Sequence, residues 1–366
     1  MKDKLKVIIS GGGTGGHIFP ALSIADALRR KVAGIDILFV GAEGRMEMQR
    51  VPEAGYRIVG LPVMGFDRHS LFKNVKVLWR LLKSERMARR ILRDFRPDIA
   101  IGVGGYASGP TLREAARMGV PTMIQEQNSY AGVTNRLLSK HVRKICVAYP
   151  GMEKYFDASK IVFTGNPVRE SVISTAVSRA EALGRYGLSP DKPTVLIVGG
   201  SLGARTLNET VMANSRWMEE SGYQFICQTG KAYYGRMLSH LGQMKSVVAL
   251  DFIKDMGVCY RAADLVVSRA GAGAISELEL LGKPAILVPS PNVAEDHQTK
   301  NAMALVERGA AVCVRDAEAQ GQLMPAIAAL LGDSRKLAQM SDNIRALASP
   351  DAASRIADEA LKLVNR

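Results

Sequence analysis

A glycine-rich loop that ends in a histidine lies near the start of the chain. Residues 11–17 read GGGTGGH and also match the spacing G-x-G-x-x-G. Glycines let a backbone approach an anion closely, and the N-terminus of the helix that follows adds partial positive charge. The loop therefore predicts a site for a phosphate-bearing ligand, with an ordinary tight turn as the alternative. A dinucleotide site fits less well, because Glu43, the acid that would grip its ribose, lies further along the chain than such a site requires.

His17 is the candidate general base of this loop. The predicted helix begins at Pro20, a residue suited to a first helical turn. The positive end of that helix favours the neutral imidazole that a base needs. A loop histidine that hydrogen-bonds its own turn is the alternative, and the spacing alone does not decide between the two.

Two further segments of the first half are rich in glycine or polar residues. Residues 104–110 read GGYASGP, in which Ser108 could donate to a phosphate, unless the glycines serve only to let a strand and a helix pack closely. Residues 125–135 read QEQNSYAGVTN, which is very polar for a connector that follows a buried strand. This polarity favours a functional site, with turn formation by Asn128 as the alternative.

The second half contains three more such segments. Residues 199–205 read GGSLGAR, a second loop of the phosphate-binding type, in which Ser201 adds a hydroxyl group. Residues 268–277 read SRAGAGAISE and place small residues at a helix N-terminus. Glu277 could accept both hydroxyls of a ribose, or it could only complement the helix dipole. Residues 295–301 read EDHQTKN, which suits the hydroxyls of a sugar or a solvated helix start.

The histidines and carboxylates argue against a metal or a cofactor. The five histidines are not spaced as metal ligands, and the chain has no D-x-D pair to hold a divalent ion against a diphosphate. We therefore expect backbone N–H groups and arginine to meet the charge of a diphosphate.

The positive charge of the chain is concentrated in its first half. The formal charge is +14, and residues 1–166 hold 27 basic and 14 acidic residues, a net charge of +13. Hydrophobic residues make up 47% of the chain and charged residues 23%, which excludes disordered and collagen-like proteins. A basic half suggests a nucleic acid, an anionic membrane surface or a phosphorylated ligand as partner.

A predicted amphipathic helix over residues 70–95 holds much of this charge. Such a helix is typical of a protein that lies on an anionic membrane. A core-facing helix with a solvated basic face is the alternative, and nucleic acid comes third because no recognised binding motif accompanies the charge. The candidate membrane residues are apolar or basic: Leu71, Phe72, Lys73, Val75, Lys76, Leu78, Trp79, Arg80, Leu82 and Lys83.

The cysteines and the apolar runs bear on the compartment. Four widely spaced cysteines indicate reduced thiols in a cytoplasm. The apolar run near the start is too short for a signal peptide, and no run approaches the ~20 residues of a membrane span. We expect a cytoplasmic protein that lies on a membrane rather than crossing it.

Short apolar strands precede the glycine loops and alternate with helical patterns. This alternation predicts parallel sheets covered on both faces. The strand, glycine loop and helix that open at Gly11 appear again at Gly199, which predicts an α/β protein with two doubly wound, Rossmann-like domains. We place these domains at residues 1–166 and 167–350, facing across a cleft with one ligand each. A helix at 351–366 could return to the first domain.

The order of the motifs resembles one enzyme family along most of the chain. The series GGTGGH, GGYASGP, EQNSYAGVTN, GNPVR, GGSLGAR, SRAGAGAISE and EDHQTKNA is similar to that of the MurG family of peptidoglycan glycosyltransferases. The resemblance implies a GT-B fold and a hexosyltransferase that moves N-acetylglucosamine from UDP-N-acetylglucosamine to lipid I, an undecaprenyl-diphosphate-linked acceptor, forming lipid II. It also implies a peripheral position on the cytoplasmic face of the bacterial cell membrane, with no nucleic acid as partner.

The resemblance gives each motif a role. His17 would be the catalytic base, with Glu126 in reserve. The implied donor site consists of Thr14, Gly15, Gly16, Asn128, Arg169, Ser201, Ile253, Ala272, Gly273, Ala274, Ile275, Ser276, Glu277 and Gln298. The implied acceptor contacts are Gly13, Gly104, Gly105, Tyr106 and Ser108. His297 stands where some relatives carry a second glutamine, a departure that bears on recognition of the transferred sugar.

The implied reaction is an inverting displacement without metal. The C4 hydroxyl of the muramoyl sugar attacks the anomeric carbon, and UDP leaves from the opposite face. One rival is another GT-B enzyme that uses UDP-N-acetylglucosamine, such as a 2-epimerase or a different sugar transferase. The others are an NAD-dependent oxidoreductase and a membrane-binding adaptor without catalysis.

Overall fold

The computed structural model describes residues 4–64, 71–200, 202–293 and 296–364. The strands of this part of the chain are β1 (Lys6–Ser10), β2 (Asp36–Ala42), β3 (Arg57–Leu61), β4 (Ile99–Gly102), β5 (Thr122–Glu126), β6 (Lys144–Val147), β7 (Ile161–Phe163), β8 (Thr194–Val198), β9 (Gln224–Gln228), β10 (Val247–Leu250), β11 (Leu265–Ser268), β12 (Ala285–Leu287) and β13 (Val312–Cys313). The helices are α1 (Gly15–Lys31), α2 (Glu47–Glu53), α3 (Leu71–Phe95), α4 (Ser108–Arg117), α5 (Val133–Leu138), α6 (Glu170–Ile173), α7 (Arg179–Gly184), α8 (Arg205–Ala213), α9 (Ser215–Glu220), α10 (Lys231–Leu241), α11 (Met256–Ala262), α12 (Ala272–Leu281), α13 (His297–Val306), α14 (Ala319–Leu331), α15 (Ser334–Arg345) and α16 (Ala352–Val364).

The chain forms two compact units. Unit 1 is Met1–Arg169 together with Asp351–Arg366, and unit 2 is Glu170–Pro350. The described strands of unit 1 form a sheet in the order β3-β2-β1-β4-β5-β6-β7, and those of unit 2 form a sheet in the order β10-β9-β8-β11-β12-β13. All strand pairs in both sheets are parallel. The prediction of an α/β protein with two doubly wound sheets is confirmed.

The strand order reverses once in each sheet. In unit 1 the reversal lies between β1 and β4, and in unit 2 it lies between β8 and β11. Loops that leave adjacent strands on opposite sides of such a point open a crevice, which is where ligands of open α/β sheets bind. The loops after these four strands are the glycine-rich segments 11–14, 103–107, 199–204 and 269–271.

The strands beside the reversals are buried on both faces. Val7, Ile8 and Ile9 of β1 have no exposed surface, and all five residues of β8 are buried. Burial on both faces explains why these segments read as continuous apolar runs rather than as alternating ones.

Helix α16 belongs to the core of unit 1, although it follows the whole of unit 2 in the chain. Its Ile356, Ala360 and Leu363 are buried in one apolar cluster with Ile24 and Leu28 of α1. These residues form the face of α16 that packs, and an ion pair of 2.9 Å joins Lys31 of α1 to Asp358 of α16.

Helix α1 begins earlier than predicted, at Gly15 instead of Pro20. Thr14 has extended backbone angles (φ −145°, ψ 160°) and precedes the first helical residue. Pro20 lies inside the helix, close enough to its start that only one helical hydrogen bond, to the carbonyl of Gly16, is forgone. The prediction was wrong because proline was taken as the first-turn residue. The correction places His17 within the first turn.

The loop before α1 is held by a buried carboxylate. Glu47, the first residue of α2, is 1% exposed and accepts hydrogen bonds from the backbone N–H groups of Gly13 (3.0 and 3.1 Å) and Ala42 (2.9 Å). A Cβ atom at Gly12, whose φ is +146°, would lie 2.0 Å from a Glu47 carboxylate oxygen. The carboxylate thus occupies an anion position inside the loop and joins β2, α2 and the glycine segment.

We expect Glu47→Gln to lower the free energy of unfolding by about 1–3 kcal/mol. The NH2 group of the glutamine would face a backbone N–H group of the loop, so two donors would meet without an acceptor. Urea denaturation followed by circular dichroism measures this change. Glu43→Gln, at an exposed position of the same connection, is the matched control and should stay within about 0.5 kcal/mol of the parent. Equal stability of the two variants would show that the carboxylate does not hold the loop.

Candidate functional site

In unit 1, the loops after β1 and β4 touch through their backbones. A Cβ atom at Gly105 would lie 2.3 Å from the carbonyl oxygen of Gly12. Gly104 and Gly105 both have positive φ values, +92° and +85°, which side chains other than glycine rarely adopt. The glycines of GGYASGP are therefore required by the fold, and their contact brings both loops to one edge of the sheet.

His17 lies at this contact with its ring orientation set by the backbone. Its Nδ1 atom is 3.2 Å from the carbonyl oxygen of Gly12 and 3.3 Å from Oγ1 of Thr14. A carbonyl oxygen can only accept, so Nδ1 carries the proton of the neutral ring and Nε2 carries the lone pair. A Cβ atom at Gly104 would lie 2.8 Å from Nε2, so glycine there makes room for the ring. The geometry gives His17 the tautomer that a general base at Nε2 needs.

Ser108 has a structural task in this loop. Its side chain is fully buried, and its hydroxyl lies 2.6 Å from the carbonyl oxygen of Ser10 and 2.9 Å from that of Gly104. The hydroxyl proton is therefore used to join β1 to the second loop. The predicted donation to an acceptor phosphate would require these bonds to break.

Glu126 is likewise committed to the protein. It ends β5, is 1% exposed, and accepts hydrogen bonds from the backbone N–H groups of Asn128 (3.1 Å) and Gly132 (3.0 Å) and from Nδ2 of Asn135 (2.9 Å). All three donors are groups of the protein, and their hydrogen bonds to the carboxylate are of the strong, charge-assisted kind. Glu126, predicted as the reserve base, holds in place the loop that presents Asn128.

Buried amides join this loop to the loop after β4. Gln127 donates from Nε2 to the carbonyl of Val103 (2.8 Å), and Gln125 donates to Oδ1 of Asn166 (3.0 Å). Asn166 in turn donates to the backbone carbonyl of Gln127 (3.0 Å). The polar run after β5 is thus largely a scaffold, which explains why it is so polar.

Other predicted residues of unit 1 remain at the surface of this edge. Thr14, Gly16 and Tyr106 are exposed. The guanidinium of Arg169 stacks over the ring of Phe19 on α1, 4.1 Å from its centroid, which places this arginine beside the first glycine loop.

In unit 2, the loop after β8 is packed as tightly as its counterpart in unit 1. A Cβ atom at Gly203 would lie 1.9 Å from the carbonyl oxygen of Thr229, and one at Gly230 would lie 2.1 Å from that of Leu202. Ser201, predicted to meet the donor diphosphate, lies outside the described residues. The remainder of the loop leads directly into α8, whose first residue is Arg205.

Gly271 is the N-cap of α12, and no side chain among the described residues caps this helix start. A Cβ atom at Gly271 or at Gly273 would have no heavy atom within 4 Å, apart from its own neighbours in the chain. These glycines leave open space where an anion could approach the helix.

Two buried polar contacts hold the loop before α12. Asn301 donates from Nδ2 to the carbonyl of Ala270 (3.3 Å). Arg269 lies 2.5 Å from Oδ1 of Asp316, whose other oxygen accepts from the hydroxyl of Thr206 on α8 (2.8 Å). Asp316 thus joins the loop after β11 to the first turn of α8.

Three further residues of unit 2 are predicted to contact the donor: Glu277, Gln298 and Ile253. Glu277, in the second turn of α12, is partly buried and accepts at Oε2 from the hydroxyl of Tyr260 (2.9 Å). Gln298, the second residue of α13, accepts at Oε1 from the backbone N–H of Ser290 (2.8 Å). This bond fixes the side-chain amide so that its NH2 group is the part that can donate to a ligand. Ile253 follows β10 and is 7% exposed.

Two groups with shifted pKa values lie toward the other end of α12. Burial raises the pKa of Glu279 to about 8, with Arg308 opposing the shift. Burial also lowers the pKa of Lys283 to about 8, with Asp264 opposing it. Packing accounts for both shifts, so neither marks the site at the loop edge.

Sequence reasoning missed the residues that hold the site rather than line it. Glu47, Tyr260 and Asn166 each have a hydrogen-bond partner that lies 17 or more residues away in the chain. Their signal in the sequence was weak, since a glutamate after a strand and a tyrosine in an apolar helix are common.

Neither a metal site nor a membrane span is found in the described residues. No group of three or more histidines, cysteines, aspartates or glutamates there could hold a metal ion. None of the helices in that part of the chain combines the length and the apolarity that a membrane span needs. Six of the candidate membrane residues have side chains that the structure does not describe: Leu71, Phe72, Lys73, Val75, Lys76 and Leu78. Of the other four, Trp79, Leu82 and Lys83 are exposed and Arg80 is half-buried.

Family models and curated relatives agree in showing similarity to glycosyltransferases. The model of the glycosyltransferase family 28 N-terminal domain matches residues 7–147, and that of the C-terminal domain matches residues 194–356. A relative from Bacteroides fragilis, named UDP-N-acetylglucosamine--N-acetylmuramyl-(pentapeptide) pyrophosphoryl-undecaprenol N-acetylglucosamine transferase, is 58% identical over 100% of this chain and 97% of its own.

Solved structures agree with this result. The crystal structure of MurG from Acinetobacter baumannii matches with a TM-score of 0.76 and 28% identity over 98% of this chain and 100% of that one. A UDP-GlcNAc 2-epimerase from Neisseria meningitidis matches with a TM-score of 0.69 but only 14% identity, over 98% of this chain and 100% of that one, and so shares the fold alone. The two Rossmann-like units are those of the GT-B fold. The chain therefore belongs to glycosyltransferase family 28 and, within it, to the MurG family.

Proposed function

We propose that this protein transfers N-acetylglucosamine from UDP-N-acetylglucosamine to the C4 hydroxyl of the muramoyl sugar of lipid I. The product is lipid II, a precursor of peptidoglycan. The observation that carries the proposal is the 58% identity, along the whole chain, to a relative named for this transfer. An epimerase of the same fold is the alternative, but 14% identity gives it no support beyond the architecture.

The donor is assigned mainly to unit 2. The open N-terminus of α12 and the loop after β8 can meet the two phosphates with backbone N–H groups and helix dipoles. Glu277 accepts the ribose hydroxyls, Ile253 flanks the uracil, and Gln298 donates to the hydroxyls of the transferred sugar. Ser201 and Arg169 are assigned to the diphosphate.

The acceptor and the base are assigned to unit 1. The exposed surface of the first glycine loop and Tyr106 contact the lipid-linked diphosphate sugar. Gly13, Gly104, Gly105 and Ser108 act by setting the shape of these loops, since their polar or close contacts are made within the protein. Asn128 and the first residues of α1 complete the donor contacts from this unit.

The reaction is a single displacement with inversion. His17 takes the proton of the C4 hydroxyl at Nε2 as that oxygen attacks the anomeric carbon, and the bond to the β-phosphate oxygen of UDP breaks. The charge that develops on UDP is stabilised by backbone N–H groups and helix N-termini, so that no metal is needed.

Transfer of labelled N-acetylglucosamine to a lipid I analogue tests the function. We expect acceptor-dependent release of UDP and a labelled β-1,4-linked product, at an unchanged rate in a metal chelator. Conversion of the donor without acceptor would favour the epimerase. Loss of transfer in the chelator, restored by a divalent ion, would contradict the metal-free mechanism.

We expect His17→Ala to lower kcat by about 10²–10⁴, the usual effect of removing a general base, with the donor KM nearly unchanged. Steady-state kinetics with saturating acceptor measure both constants. His141→Ala, which removes an exposed histidine of unit 1, is the matched control and should retain full activity. A loss below tenfold would remove His17 from the role of base.

We also propose that unit 1 lies on the cytoplasmic face of the cell membrane through α3. Trp79 is 62% exposed on this helix, and the ammonium of Lys83 lies 5.6 Å from the centroid of its ring. Helix α5 of the same unit exposes Val133 and Leu137 beside Arg136. Exposed aromatic and basic groups of this kind bind anionic interfaces.

Sedimentation with liposomes tests this surface. We expect binding that rises with anionic lipid and is lost when Lys73, Lys76, Arg80 and Lys83 are all changed to glutamate. The same charge change at Lys231, Lys245, Lys254 and Lys336, which are exposed on unit 2, is the control and should preserve binding. Binding that ignores lipid charge would leave the basic face of α3 as a solvated surface.

A further inference from the structure

Tyr260 stands out among the buried polar groups of unit 2 because its hydroxyl reaches a predicted ligand residue. The side chain is 2% exposed, and it lies on α11 with its hydroxyl 2.9 Å from Oε2 of Glu277 on α12. The two residues are 17 positions apart, so tertiary packing alone brings them together. A phenolic hydroxyl donates here, because an ionised carboxylate can only accept.

The two side chains differ in mobility. Tyr260 is almost fully buried, on a helix whose N-terminus is capped by Asp255, which accepts from the N–H of Val258. Glu277 is partly exposed and, like any glutamate on a helix, has several rotamers of similar energy. A hydrogen bond from a fixed donor selects one of these rotamers.

We propose that Tyr260 is a positioning residue for the nucleotide: it fixes the Glu277 carboxylate in the orientation that accepts the ribose hydroxyls of UDP, and so contributes to the preference for a ribonucleotide. The proposal rests on the proposed function, in which Glu277 binds the ribose. Tyr260 does not touch the substrate and acts through Glu277. The entropy of ordering the carboxylate is spent during folding, which leaves less of it to oppose binding.

The contact is suited to this role because a charge-assisted hydrogen bond is strong enough to bias a rotamer. Bonds to charged groups contribute about 1.5–3 kcal/mol, which corresponds to roughly a 10- to 150-fold preference. A ligand that binds the selected rotamer gains part of this preference as binding affinity.

Calorimetric binding of UDP and of 2′-deoxy-UDP to the full chain tests the proposal. We expect Tyr260→Phe, which removes only the hydroxyl, to weaken UDP binding about 3- to 20-fold. The variant should weaken the binding of 2′-deoxy-UDP by a smaller factor, since only one of the two hydroxyls that Glu277 accepts remains in that ligand. The donor KM should rise in step while kcat changes less than about twofold.

Tyr186→Phe is the matched control. The hydroxyl of Tyr186 lies 2.9 Å from Sγ of Cys259 on the same helix α11, so this variant also removes a tyrosine hydroxyl packed against that helix. It should leave the binding of both nucleotides unchanged. Because the central comparison is between two ligands on one folded variant, a loss of stability does not imitate the expected result.

The double variant with Glu277→Gln separates this proposal from the assignment of Glu277. If Glu277→Gln alone leaves UDP binding unchanged, the ribose role of Glu277 fails, and the donor site must be sought elsewhere. If Glu277→Gln weakens binding and Tyr260→Phe weakens it further by the same factor as in the parent, the two act independently and positioning is overturned. Equal weakening of UDP and 2′-deoxy-UDP by Tyr260→Phe also overturns it. A double variant no weaker than Glu277→Gln supports it.

Discussion

The site depends on how closely two pairs of backbone loops approach each other at the points where strand order reverses. In unit 1 the second glycine loop lies against the Gly12 carbonyl, and in unit 2 Gly203 and Gly230 lie against the carbonyls of their opposing loops. Any side chain at these contacts would separate the loops. The glycines therefore serve first to close the distance between loops, and the surface left for a ligand is a consequence of that packing.

The interior of each loop set is polar, and its polar groups are directed inward. Glu47, Glu126, Ser108 and Asp316 all hold backbone or loop atoms in place. Because these groups bind other parts of the protein, the helix N-termini and a few side chains are what a ligand would contact. A site of this kind meets negative charge with fixed dipoles, which need no reorganisation as charge develops.

Sequence reasoning predicted the architecture well because strand, loop and helix are local patterns. The parallel sheets, their reversals and the glycine loops all follow from short segments such as residues 6–17 and 194–205. The start of α1 was predicted five residues late because one proline outweighed the cap at Thr14. The hydrogen bonds that Ser108 and Glu126 make within the protein could not be predicted, because the sequence shows the type of a polar side chain in a loop but not its direction. The contact between Tyr260 and Glu277 could not be predicted, since it depends on how α11 packs beside α12.

The return of α16 to unit 1 has a consequence for how the protein is made. During synthesis, the face of α1 that carries Ile24 and Leu28 emerges early, but its partners Ile356, Ala360 and Leu363 emerge only after all of unit 2. Until then unit 1 has an incomplete core and an uncovered apolar stripe on α1. Such a nascent chain is prone to non-native association, and a chaperone that binds apolar helical faces would have a long interval in which to act. Helix α16 therefore completes unit 1 only after the whole of unit 2 has been synthesised.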